Sequence, residues 1–207
     1  QFQGRSVLVL EDPGGEPLDR LVRKPMELGL FLRLGIGLSA AVSGLHGRGF
    51  IHKEIKPGNV LVNPSTGEAR LTGFGIATRL PRQRQSPESP EFIAGALPYM
   101  APEQTGRLNR SIDSRSDLYS LGVTLYEILT GALPFSASDP MEWVHCHIAR
   151  QPAAPSERLR SVPASVSAIT MKLLSKTAEE RYQTAAGVES DLRRCLSCWE
   201  SHGRIDD

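Results

Sequence analysis

Residues 113–130 form the stretch that most restricts the fold. Leu118, Leu121, Val123, Leu125, Ile128 and Leu129 make it apolar nearly all round, and it stops at Gly131 ahead of Pro134. A surface helix needs only one apolar stripe, whereas a helix apolar on every side has to be buried on every side. That is a large demand for a chain of 207 residues, and its 40% hydrophobic content is enough to meet it as one domain or one large lobe. Nothing in the composition points to a second domain.

Other elements follow from periodicity and punctuation. Residues 7–10 read as a short buried strand, and residues 11–17, with Pro13, Gly14, Gly15 and Pro17, as a turn. The glycine pair lacks the G-x-G-x-x-G spacing of a phosphate-cradling loop. Pro25 and Glu27 fit the first turn of a helix in which Leu30, Leu34, Leu38, Ala41 and Leu45 recur at spacings of three and four, up to Gly47-Arg48-Gly49. Gly35 and Gly37 inside it each cost about 1 kcal/mol against Ala, so either close packing requires small residues there or the helix is locally weak. Residues 60–62 and 69–72 read as strands joined by a turn through Asn63-Pro64-Ser65-Thr66-Gly67. Asp139-Pro140-Met141-Glu142 opens a helix over 139–150, a proline-rich linker covers 151–163, and two more helices follow, over 164–175 and from Thr184 on.

A formal charge of +1 without a basic run gives no electrostatic case for nucleic acid or membrane binding. No uninterrupted apolar stretch is read as long enough to cross a bilayer, and no signal peptide is seen, so the expected compartment is the cytoplasm. Three cysteines do not make a disulfide framework, and Cys195 and Cys198 have no second C-x-x-C beside them. His145, Cys146 and His147 are adjacent on a helix, so their side chains diverge by about 100° per residue; packing and surface positions fit them better than a metal site. The chain opens at Gln1 without a Met, and a segment upstream is expected.

Chemistry concentrates in His52-Lys53-Glu54-Ile55-Lys56-Pro57-Gly58-Asn59. Read alone, it is either a polar turn or an acid, a lysine and an amide set at fixed spacing before a β-prone run. It resembles the protein kinase catalytic loop H-R-D-L-x-x-x-N, with Lys53 for Arg and Glu54 for Asp. Gly73-Phe74-Gly75 stands where that family has D-F-G, and Ala101-Pro102-Glu103 matches A-P-E. The closer likeness is to the kinase region at the start of long bacterial signalling proteins that continue into ATPase-like, GAF-type and histidine kinase modules. It rests on Pro102-Glu103-Gln104-Thr105-Gly106-Arg107-Leu108-Asn109-Arg110, Val144-His145-Cys146-His147-Ile148-Ala149 and Lys176-Thr177-Ala178-Glu179-Glu180-Arg181-Tyr182-Gln183.

The resemblance implies an α+β, mostly α-helical fold: a kinase large lobe over 18–199, with a remnant of the hinge strand in 1–17 and a tail or linker in 200–207. It implies ATP and Mg²⁺ as cofactors, a protein substrate or partner domain, and membership of a larger multidomain signalling protein. Glu54 would stand in for the catalytic base, Lys56 would contact the transferring phosphoryl group, and Asn59 would bind magnesium. Leu10 would lie at the back of the adenine pocket, the backbone of Glu11, Asp12 and Pro13 would face the purine, and Leu61 would form its floor. His52 is expected to be structural. Asp117 would hold the catalytic-loop backbone, although its position also suits an exposed first-turn acid, and Glu103 would pair with Arg181. Ser86 or Ser89, in a polar stretch placed like an activation loop, could carry a phosphate facing Lys53, or that stretch is simply a solvated loop. Gly73 offers Mg²⁺ no carboxylate, and Glu54 is one methylene longer than Asp. Two readings therefore stay open: a serine/threonine kinase of reduced activity, or a pseudokinase-like regulatory module.

Overall fold

The computed structural model describes residues 15–22, 24–79 and 96–205. The strand read over 7–10, the adenine-facing Leu10, Glu11, Asp12 and Pro13, and the candidate phosphosites Ser86 and Ser89 lie outside the described residues. In chain order the strands are β1 (Glu16–Pro17), β2 (Phe50–Ile51), β3 (Val60–Asn63), β4 (Glu68–Leu71) and β5 (Thr78–Arg79). The helices are α1 (Leu28–Gly47), α2 (Ser114–Thr130), α3 (Pro140–Ile148), α4 (Pro155–Arg158), α5 (Ala164–Leu173) and α6 (Ala185–His202). The fold is thus α+β and mostly helical.

The all-round apolar stretch is α2, and all but three of its seventeen residues are buried. Asp113 caps it by accepting a hydrogen bond from the Arg115 N–H, and Gly131 ends it at φ 73°. One side of α2 joins the main core with Leu118, Leu121, Leu125, Ile128 and Leu129, while Tyr119, Val123 and Tyr126 face a second cluster with Ala101 and Leu174. A helix shared between two clusters has no polar face to spare.

The α1 helix starts later than the sequence reading put it. Glu27 is its N-cap rather than a first-turn residue, its carboxylate accepting from the N–H groups of Gly29 and Leu30 at 2.8 Å each. These backbone bonds, Gly29 foremost, hold the Glu27 carboxyl below its ordinary range. Pro25 lies outside the helix. α1 is 20 residues long with a mean hydropathy of 1.7, long and apolar enough to cross a bilayer by length and composition, although Arg33 interrupts its apolar run. In the fold its Phe31, Leu32, Leu34, Leu38 and Val42 are core residues, and it packs along α6 and β4. Gly37 explains one of its helix-weakening residues, since a Cβ there would collide with the Gly67 carbonyl oxygen of the β3–β4 turn. At Gly35 a Cβ would sit tightly, at 3.1 and 3.4 Å, against the side-chain methyls of Leu192 and Leu125.

Strands β1, β3 and β4 form an antiparallel sheet in that order, with Pro17 opposite Leu61 and Leu61 opposite Arg70. Glu16 and Pro17 are therefore strand rather than turn. Alternation along β3 buries Val60 and Val62 in the core and leaves Leu61 half-buried on the opposite face. The pair β2–β5, absent from the sequence reading, joins Phe50 to Arg79 and Ile51 to Thr78. The single turn α4 falls inside the stretch read as linker, α3 stops at Ile148 and α5 at Leu173, both short of the ends expected, and α6 runs to His202, into the stretch read as a tail.

Candidate active site

The stretch 52–59 hangs on one buried carboxylate. Asp117, fully buried in the first turn of α2, accepts from the backbone N–H of His52 (Oδ2, 2.8 Å) and of Lys53 (Oδ1, 2.7 Å). The same Oδ2 meets His46 Nε2, from the last turn of α1, at 2.8 Å. These bonds hold Lys53 at φ 69°, a left-handed conformation that an L side chain adopts at a cost of order 1 kcal/mol. Asp117 is thus not an exposed first-turn acid.

His52 ties the loop to the segment that follows β4. Its Nδ1 accepts from the Glu54 N–H at 3.3 Å, so its Nε2–H is the donor to the Thr72 carbonyl at 2.8 Å. The Thr72 N–H in turn donates to the Asn59 carbonyl, and the Phe74 ring lies 5.0 Å from the imidazole.

Glu54, Lys56 and Asn59 come together on one side of this loop. Lys56 Nζ donates to Glu54 Oε1 at 2.6 Å, and the two side chains are 23% and 22% exposed, so both can be reached from solvent. The Asn59 amide donates to the Glu54 carbonyl at 2.9 Å. Gly73 sits at φ 75°, and a Cβ built on it would lie 2.5 Å from Asn59 Cγ and Oδ1. The Asn59 amide thus occupies the space that any side chain at position 73 would enter. For Mg²⁺ the fit is poor. The ion prefers hard anionic oxygens, whereas here one carboxylate is neutralised by Lys56, the second position is glycine, and the remaining oxygen is an amide. Among the described residues no group of three or more His, Cys, Asp or Glu side chains could hold a metal ion.

Residues 97–105 close the far side. Gln104 donates from Nε2 to the Lys53 carbonyl at 2.9 Å and accepts from the Ala101 N–H, linking this segment to the catalytic-loop stretch. Ser120 bonds the Tyr99 carbonyl, and the Tyr99 hydroxyl donates to Glu127 at 2.6 Å. Burial raises the Glu127 carboxyl, and the Tyr99 bond opposes that shift. Below them Glu103 and Arg181 form a two-pronged ion pair, at 2.7 and 3.0 Å, with Arg181 2% exposed. The structure therefore joins His52, Glu54, Lys56, Asn59 and Asp117 into one unit and sets Glu103 and Arg181 beneath it. Leu61 lies on the sheet face turned from the core. His46 and Gln104 are partners that sequence reasoning did not find, because they meet their targets across 71 and 51 positions of chain.

Residues 3–192 match the family described as protein kinase domain. The chain belongs to that family. Its mostly helical α+β architecture is that of a kinase large lobe, and the family in general uses ATP and Mg²⁺. This kinase chain is 37% identical to the serine/threonine-protein kinase PknB of Mycobacterium tuberculosis over 154 residues, 74% of this chain and 24% of the relative. It is 34% identical to the serine/threonine-protein kinase PksC of Streptomyces coelicolor over 191 residues, 91% of this chain and 34% of PksC. The corresponding figures for the serine/threonine-protein kinase Pkn1 of Myxococcus xanthus are 33% over 196 residues, 93% of this chain and 28% of Pkn1. The chain thus spans between a quarter and a third of these relatives.

Proposed function

We propose that this chain is part of a bacterial serine/threonine protein kinase of reduced activity, working in the cytoplasm within a larger signalling protein. The observation that carries this reading is the accessible Glu54–Lys56 pair on a loop pinned by Asp117. In that reading Glu54 takes the proton of a substrate Ser or Thr hydroxyl. The hydroxyl oxygen bonds to the terminal phosphorus of ATP, the bond from that phosphorus to the bridging oxygen breaks, and ADP leaves. Lys56 balances the charge of the moving phosphoryl group, and Leu61 supports the purine. Catalysis of this kind is mostly positioning and electrostatics, which is what a loop held by two backbone hydrogen bonds to one buried carboxylate supplies.

A second reading, a pseudokinase-like regulatory module, is favoured by a different observation. Gly73 supplies no carboxylate, and the Asn59 amide, which bonds the Glu54 carbonyl through Nδ2, lies in the space a side chain at position 73 would need. Transfer of labelled phosphate from ATP to a protein substrate, assayed in the native polypeptide, separates the two. Slow incorporation that disappears in Glu54→Ala supports the kinase. Equal background in both proteins overturns the kinase reading and leaves the regulatory module.

A further inference from the structure

The imidazole of His147 is 1% exposed and boxed by three rings: Tyr119 and Phe135 edge-on at 5.7 Å, and Trp143 stacked at 5.9 Å. A buried imidazole has to satisfy both ring nitrogens, and here the two partners fix which of them carries the proton. Nε2 lies 2.7 Å from the Leu97 carbonyl and Nδ1 lies 3.0 Å from the Tyr119 hydroxyl. A carbonyl only accepts, so the proton is on Nε2, and Nδ1 must accept from the Tyr119 O–H. Lys176 Nζ, 3.4 Å from that hydroxyl and 3.0 Å from the Cys146 carbonyl, completes the direction of the chain as Lys176 to Tyr119 to His147 to Leu97. Desolvation lowers the His147 pKa to about 4, consistent with a neutral ring.

Leu97 opens the segment whose other end is bonded, through Gln104, to the residue before Glu54. In the kinase reading, this wall is the surface nearest Glu54 along which a peptide bringing it a hydroxyl would pass. We propose that His147 is a positioning residue of the acceptor-peptide surface: as a neutral imidazole protonated at Nε2 it fixes the Leu97 carbonyl, and so joins α3 to the wall beside Glu54. The acceptor role rests on the kinase reading above; the strut itself does not.

The test has a spectroscopic and a kinetic part. In the 207-residue chain, nitrogen-15 spectra of the imidazole should show the Nε2–H tautomer with no titration between about pH 5.5 and 8. His147→Phe keeps a ring in the aromatic box but has no donor. Exchange of the Tyr99 and Met100 amides should become about five- to tenfold faster, and His147→Gln, whose amide nitrogen reaches the Nε2 position, should bring it back. In the native polypeptide His147→Phe should raise KM for the acceptor by a similar factor and leave kcat unchanged. An Nδ1–H tautomer, or unchanged exchange in His147→Phe, overturns the strut. If His147→Phe does not fold, Tyr119→Phe removes only the hydroxyl and leaves the Leu97 carbonyl in place; retention of the Nε2–H tautomer is expected there, and a switch to Nδ1–H overturns the strut. Faster exchange without a change in KM overturns the acceptor role, and faster exchange in a protein whose wild type transfers no phosphoryl group keeps the strut while sinking the kinase reading.

Discussion

Replacing Glu103 by Gln should be among the most damaging single changes in this fold. The Arg181 guanidinium is closed off from solvent, and each of its five N–H groups has an acceptor. Nε donates to the Ser175 carbonyl, one terminal nitrogen to Glu103 Oε1 and the Arg115 carbonyl, and the other to Glu103 Oε2 and the Lys176 carbonyl. Glu103 supplies two of these acceptors and, among the described residues, the only negative charge on the group, and it also accepts from the Ser116 hydroxyl at 2.7 Å. The side chains are 0% and 3% exposed, so water cannot take over. Losing one member of such a buried pair costs about 3–5 kcal/mol, against about 5–15 kcal/mol for a whole domain. With a urea slope of about 2–3 kcal/mol/M, the denaturation midpoint should fall by about 1–2.5 M. Replacing both residues by Met removes the stranded charge together with its partner, so the double variant should be more stable than Glu103→Gln alone. A loss below about 1 kcal/mol in Glu103→Gln, or a double variant as unstable as the sum of the singles, would refute the argument.

The His147 pKa, lowered to about 4 from 6.5, gives a pH dependence of definite sign. The unfolded chain binds the extra proton first, so this stability is fully present above pH 6.5 and is lost as pH falls toward 4, by up to about 3 kcal/mol; denaturation midpoints across that window should fall in the wild type and stay flatter in His147→Gln. Gly37→Ala should destabilise by about 1–3 kcal/mol despite better helix propensity, because its Cβ enters the β3–β4 turn; a thermal midpoint at or above wild type would contradict the packing. Gly73→Asp should cost about 1–3 kcal/mol, from the left-handed backbone and the displaced Asn59, while making ATP binding more dependent on Mg²⁺. Calorimetric titrations with and without Mg²⁺ that give the same affinity would remove Gly73 from the nucleotide site.

Much of the secondary structure could be read from residue order, because caps, breakers and periodicity act within a few residues. Asp139, Thr184 and Gly131 mark helix ends through their own side chain or its absence, and the hairpin over 60–71 follows from alternation about a turn. The acid, lysine and amide of 52–59 were legible as a motif because they lie on one loop. Two-residue strands were not, since β1, β2 and β5 exist only through partners supplied from elsewhere in the chain. Gly37 shows the same limit: its local signal is a weak helix, and its reason is Gly67.

Sequence by itself determined that residues 113–130 form a helix with no exposed face, most of the other helical stretches, and which polar residues share the loop over 52–59. The tertiary structure alone decided what those residues do to one another. Asp117 reaches His52 across 65 positions, Arg181 reaches Glu103 across 78, and His147 reaches Leu97 across 50. It also decided that α1, apolar enough for a bilayer, spends its apolar face on α6 and the sheet, and that Asn59 turns into the space left by Gly73. The physical reason is range: torsional preference and capping act over a turn or two of chain, whereas desolvated charge pairs and close packing depend on which distant surfaces are brought together.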